Sequence, residues 1–225
     1  MRILAISDEV VTALYHRETL AQWEPDLLLS CGDLPYTYME AVITRSRAEH
    51  AFYVHGNHDA PQLMENEQVL QSPGGWKNLD GRVVYLKRHA LILAGLEGSI
   101  RYRPKGEYQY TEEQMRRRAR KMWLPLLYHR VRYGRYVDIF IAHSPARGIQ
   151  DGEDFAHRGF ETFTRLIRWA RPRLFLHGHR HLYGRATWYT RQGQTDVVNV
   201  HPYRIIDYGG QAIGYRPAPP PASPR

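Results

Sequence analysis

Short apolar runs in this 225-residue chain repeatedly end in side chains able to bind a metal ion. Arg2–Ser7 is followed by Asp8, and Asp26–Ser30 by Cys31-Gly32-Asp33. Ala51–Val54 leads into His55-Gly56-Asn57-His58-Asp59, Tyr136–Ala142 into His143, and Arg173–Leu176 into His177-Gly178-His179-Arg180-His181. Neutral imidazole and carboxylate oxygen suit borderline divalent metals such as Mn, Fe, Zn or Ni. A carboxylate has two oxygens and can bridge two ions. Two ions about 3.5–4 Å apart can share a water, lower its pKa and clamp both oxygens of an in-line displacement. The same ions supply the positive charge that a phosphate ester needs at its nonbridging oxygens. His58 could protonate the leaving oxygen, with Asp59 available to orient its ring and raise its pKa. Taken singly, Asp8 could cap a helix, Asp33 could follow a turn, Gly56–Asp59 could be a polar loop and His143 could simply end a strand. The ordered series as a whole points to a metal-dependent hydrolytic site.

These side chains meet only if the runs are strands whose carboxyl ends share one edge, where ligands bind in open α/β sheets. The intervening Val11–Trp23 and Tyr38–Arg47 have helical composition, so the first half reads as βαβ units. In the second half Gly81–Leu86, His89–Ala94, Tyr136–Ala142, Arg173–Leu176, Arg185–Tyr189, Asp196–Val200 and Tyr203–Tyr208 read as strands. Thr111–Leu124 is a helix expected to open on a Thr111/Gln114 capping box and to end at Pro125. Glu161–Ala170 is another, with Phe160, Phe163 and Ile167 on one face. The expected α/β architecture is two mixed sheets packed together with helices outside. Alternate positions of an extended segment face the same way, so His179 and His181 can aim together, and Gly178 allows close backbone approach. Residues 1–215 are expected to form one domain, with a disordered Pro-rich tail over 216–225.

The net charge is +8, and it is concentrated in Arg101–Arg135, where eleven Lys or Arg face three acids. Such a region either attracts phosphate-bearing substrates or nucleic acid, or is a solvated helix face. Arg101, Arg147 and Arg180 are candidate phosphate contacts, and Glu97 and His157 lie in segments that could reach the cleft. His177 reads as a partner of the ligands rather than a ligand. No apolar run of about 18 residues is present, so no membrane-spanning helix is expected. The N-terminal run lacks the pattern of a signal peptide, and the lone Cys31 cannot form an internal disulfide, so a cytoplasmic setting is expected. Zinc-finger, Gly-rich phosphate-loop, dinucleotide and Gly-x-Ser-x-Gly patterns are absent.

In wording and order, Asp8, Gly32-Asp33, Gly56-Asn57-His58-Asp59, His143 and Gly178-His179-Arg180-His181 resemble the calcineurin-like metallophosphoesterase superfamily. The resemblance implies a four-layer α/β/β/α sandwich, with two mixed β-sheets flanked by helices, and a binuclear metal site. It implies that Asp33 bridges two ions, that Asp8 and His181 hold the first, and that Asn57, His143 and His179 hold the second. It also implies that His58 is the acid or the group that stabilises the transition state, and Asp59 its partner. The first motif of the superfamily ends in His, whereas this chain reads Asp8-Glu9-Val10. Valine cannot bind a metal, so the first site is expected to be weaker or altered in preference, with three protein ligands plus water. Glu9 is expected to face away if the strand continues, which leaves His16 as a candidate replacement. A phosphodiester is slightly favoured as substrate, because a histidine at position 58 suits an alkoxide leaving group. Two alternatives stand beside this reading. One is a low-activity metal-binding regulator, suggested by Val10. The other is a protein that binds or cleaves nucleic acid through the basic 101–135 region.

Overall fold

A computed structural model describes residues 1–64, 67–182, 187–209 and 213–216. The Pro-rich stretch from 217 onward lies outside them. The main strands are β1 (Arg2–Ile6), β2 (Leu27–Ser30), β3 (His50–Tyr53), β4 (Lys77–Asn78), β5 (Val83–Leu86) and β6 (Leu91–Leu96). They continue with β7 (Ile139–Ala142), β8 (Leu174–His177), β9 (Tyr189–Gln192), β10 (Thr195–Asn199), β11 (Tyr203–Tyr208) and β12 (Ile213–Arg216). The helices are α1 (Arg17–Trp23), α2 (Tyr36–Ser46), α3 (Glu112–Lys121), α4 (Trp123–Tyr133) and α5 (Glu161–Ala170). Two six-stranded sheets result, in the orders β12-β11-β1-β2-β3-β4 and β9-β10-β8-β7-β6-β5. Both are mixed: β1 to β4 run parallel while β11 pairs antiparallel with β1, and β10, β8, β7 and β6 run parallel between antiparallel edges.

Strand alternation builds the layers. In β1, Ile3 and Ala5 join a core shared with Leu93, Ile139, Ile141, Leu174 and Leu176 of the other sheet. The intervening Leu4 and Ile6 pack instead with Leu20, Met39 and Val42 beneath α1 and α2. On the second sheet Ile92, Phe140 and Phe175 face outward against Met115, Leu126, Phe163 and Ile167 of the remaining helices. Both faces of each central strand are therefore buried, which is why these strands read as continuous apolar runs. Each fully buried Leu or Ile contributes about 1.5–3 kcal/mol. The result is the four-layer α/β/β/α sandwich, with one apolar layer between the sheets and one under each set of helices.

Two helices differ from expectation. The Thr111–Gln114 capping box forms, but the segment expected as one helix to Leu124 breaks at Met122, and Pro125 lies in the first turn of α4. Proline is tolerated there because a first-turn N–H has no intrahelical acceptor to lose. Val11–Trp23 divides into a 3-10 turn, Thr12–Tyr15, and α1, with His16 between them. Of the strand expected over Arg185–Tyr189, the first two residues lie outside the described set, and β9 begins only at Tyr189.

Pairing register levels the strand ends. Ile6 pairs with Ser30, Ser30 with Tyr53, Ile141 with Leu176, and His177 with Asn199. The residues that follow β1, β2, β3, β7, β8 and β10 thus leave the two sheets at the same edge.

Candidate metal centre

His143 follows β7 and is fully buried. Its Nδ1 lies 2.7 Å from the Cys31 carbonyl, which can only accept, so Nδ1 carries a proton and in the neutral ring Nε2 is left with a lone pair. That Nε2 faces Asn57 Oδ1 at 3.1 Å, His179 Nδ1 at 3.0 Å and Asp33 Oδ2 at 3.3 Å. His179 repeats the arrangement in mirror order. Its Nε2 donates to the Ala156 carbonyl at 2.8 Å, which leaves Nδ1 bare toward His143. The Asn57 amide is held by its Nδ2, which donates to the Tyr102 hydroxyl at 3.0 Å and turns Oδ1 to the centre. With both imidazoles neutral, as metal ligands are, four electron-rich atoms from four segments converge with no donor among them, a donor set that a divalent cation satisfies. Asp33, His143 and His179 form a close metal-competent cluster among the described residues.

The electrostatics agree. Burial disfavours charge on Asp33, yet the adjacent His143 and the His58 N–H bring its pKa down to about 2. Burial likewise opposes charge on His143, yet Asp33 and then Asp8 hold its pKa up to about 9. Burial, reinforced by His143, pushes His179 down to about 3. The meeting point therefore favours positive charge, and His179 is kept in the neutral form that binds metals. Asp8 is half-buried, and the desolvation raises its pKa. Its two oxygens accept the His179 N–H at 2.9 and 3.1 Å.

Glycines let the segments approach this closely. A Cβ on Gly56 would stand 2.0 Å from Asp33 Oδ1, and one on Gly178 would stand 1.9 Å from Ser7 Oγ and 2.4 Å from Asp8 Oδ2. Asp8, Asp33 and His179 all adopt left-handed backbone, with φ of 68°, 56° and 65°. Non-glycine residues rarely occupy that region.

A cleft of about 740 Å³ opens over the centre, lined by Asp33, His58, Tyr102, Arg103, His157, His179, Arg180 and His181 together with the 152–156 loop. His58 is exposed at this cleft, and its main-chain N–H donates to Asp33 Oδ1 at 2.8 Å. His181 is also exposed and lies outside the close cluster, with its ring stacked on His201 at 4.5 Å. His157 lines the cleft with its Nδ1 2.9 Å from Asp154, and Arg180 lines it while donating to the Gln150 and Asp151 carbonyls.

Several expectations are corrected. Asp59 does not partner the His58 ring; its carboxylate accepts the N–H groups of Asp33, Leu34 and Gly56, and so ties the second and third strand ends together. Glu97 is turned into the core, 2.8 Å from His55 Nδ1, and accepts from Tyr110 and Arg118. Arg101 donates to the Gln109 carbonyl and Gln114, and Arg147 pairs with Asp151; neither lines the cleft. Val10 is exposed, and His16 sits exposed at the start of α1. Glu9 does not turn away, because the strand stops at Ile6; its Oε2 lies 3.4 Å from His201 Nε2. His177 touches Gln150 and the Gly178 carbonyl, not the centre. Tyr102 and Arg103 were not marked by any motif; they reach the cleft because the loop after Ile100 folds over it. Much of the basic segment is satisfied internally: Arg116 and Arg117 pair with Glu113, Arg118 with Asp80 and Glu97, and Arg135 with Asp138. Of its cations, Arg103 lines the cleft. No described helix is long and apolar enough to cross a membrane.

Comparison with known proteins agrees with this fold. The family model described as calcineurin-like phosphoesterase matches residues 1–183. The structure of TT1561 from Thermus thermophilus superposes with a TM-score of 0.64 at 17% identity, covering 96% of this chain and 97% of that one. GAP50, described as the anchor in the inner membrane complex of Plasmodium, superposes with a TM-score of 0.51 at 11% identity, covering 92% and 80%. At these identities the likeness is one of fold. No curated protein sequence matches the chain.

Proposed function

Since the chain belongs to the calcineurin-like phosphoesterase family, whose members hydrolyse phosphate esters with divalent metals, we propose that it cleaves phosphodiesters at a centre built for two cations. The observation that carries this reading is the convergence of Asp33 Oδ2, Asn57 Oδ1, His143 Nε2 and His179 Nδ1, with both imidazoles tied by their other nitrogen to main-chain carbonyls. These four residues would hold the tighter ion. Asp8 and His181, sharing Asp33, would hold a weaker one, since Val10 supplies no ligand. Divalent ions bound there supply Lewis acidity to the phosphoryl oxygens and lower the pKa of a shared water.

The chain's own groups do the rest. Arg103 lines the cleft, where its guanidinium can bind the nonbridging oxygens of the ester. His58 is fixed through its backbone on Asp33, which leaves its ring at the cleft to give a proton to the departing alkoxide. His58→Ala should therefore lower kcat by about 10²–10⁴-fold. Metal content should be unchanged, because the side chain takes no part in the ligand cluster. A matched loss of bound metal and activity in this variant would remove His58 from the acid role.

The testing experiment uses chelator-stripped protein with bis(p-nitrophenyl) phosphate and p-nitrophenyl phosphate. Turnover is expected only after Mn, Fe, Co, Ni or Zn is restored, and should be faster with the diester. Faster cleavage of the monoester would reverse the substrate class. No turnover with any of these ions would favour the regulator reading and make Val10 its cause.

A further inference from the structure

The segment that carries His181 has no regular secondary structure after β8, yet its main chain is gripped on both sides of that residue by the end of β10. Asn199 is fully buried, and its Nδ2 donates to the Arg180 carbonyl at 2.7 Å. His201 is 4% exposed, and its Nδ1 accepts the Leu182 N–H at 3.3 Å. The two grips are coupled, because Asn199 Oδ1 accepts the His201 N–H at 3.0 Å. Between them the His181 ring lies nearly flat on the His201 ring, with centroids 4.5 Å apart and an interplanar angle of 19°. Since Nδ1 of neutral His201 accepts, its proton sits on Nε2, which faces Glu9 Oε2 at 3.4 Å. The imidazole is thus oriented through Nδ1, with the Glu9 carboxylate beside Nε2, and Glu9 adjoins Asp8 in sequence.

The geometry points to Asn199 and His201, braced by Glu9, as positioning residues that hold His181 for the weaker cation. This rests on the two-ion reading above. Neither Asn199 nor His201 belongs to a motif of the series, and the brace acts on the site that Val10 leaves one ligand short. A site with fewer ligands depends more on how well the remaining ones are held. His201 Nδ1 is taken by the Leu182 N–H and so does not face an ion.

The test is Mn²⁺ titration of chelator-stripped wild type, His181→Ala, His201→Ala and His201→Phe, by calorimetry and by metal analysis, with thermal melts as a check on folding. Wild type should take two ions of unequal affinity. His201→Ala should weaken only the weaker one, by about 10- to 100-fold, the usual cost of losing a residue that orients a ligand. His201→Phe keeps a flat ring under His181 and should recover part of that loss. Amide exchange at Leu182 should quicken in both His201 variants without metal, reporting the lost grip directly. Unchanged weaker-ion affinity in His201→Ala, with its loss in His181→Ala, would overturn the positioning role and leave the two-ion reading intact. A single ion in wild type, unaffected by His181→Ala, would overturn both.

Discussion

His143→Ala is expected to lose tight divalent-ion binding and, with it, metal-dependent turnover. His143 Nε2 is the one atom with contacts to all three of Asn57 Oδ1, His179 Nδ1 and Asp33 Oδ2. Removing a residue that merely orients a ligand costs about 10- to 100-fold in metal affinity. Losing the central ligand should exceed that. The variant also strips the Cys31 carbonyl of its donor, and an unsatisfied buried polar group costs about 1–3 kcal/mol. In a chain of this size that corresponds to a melting shift of roughly 2–12 °C, so metal content in the folded variant is the decisive reading. Retention of one tightly bound ion per chain in His143→Ala would mean that the converging atoms are not the ligand set.

Gly56→Ala carries the second large effect. The added methyl would stand 2.0 Å from Asp33 Oδ1 and 2.7 Å from Asp33 N. Neither atom can give way freely: Oδ1 accepts the His58 N–H, and the Asp33 N–H is bonded to Asp59. Overpacking of this kind costs about 1–3 kcal/mol. The larger consequence is displacement of the Asp33 carboxylate, which should cut turnover by orders of magnitude while much of the protein remains folded, since an ångström at a catalytic group costs about 10²-fold. Near wild-type activity in this variant would show that Asp33 can move without penalty and is not fixed where the chemistry needs it.

What could be read from the sequence was set by chain order and strand periodicity. Asp8, Asp33, Asn57 and His143 each follow an apolar run, and a parallel sheet with level register brings such residues to one edge. What could not be read depends on contacts between loops. Asp59 sits beside His58 in sequence, yet it turns inward because three main-chain N–H groups converge on it from two strands. Glu97 follows β6 as Asp33 follows β2, but His55, Tyr110 and Arg118 draw it into the core. Pro125 reads as a helix stop by its usual bias, whereas the break falls three residues earlier at Met122, which is buried with Leu126 in the core under the second sheet. His201 carries no motif, and its place under His181 follows from the pairing of β8 with β10.

The left-handed backbone at Asp8, Asp33 and His179 has a consequence for how this protein can change. Such conformations cost about 1–3 kcal/mol each at functional sites, and glycine would relieve that cost at all three positions. Selection or engineering that rewards melting temperature alone would therefore press hardest on the residues the chemistry can least spare. A stabilised descendant that kept the fold while shedding these side chains would remain a sound sandwich with an inert edge. Consensus or library designs on this scaffold should hold these three positions constant and look for stability in the helical layers.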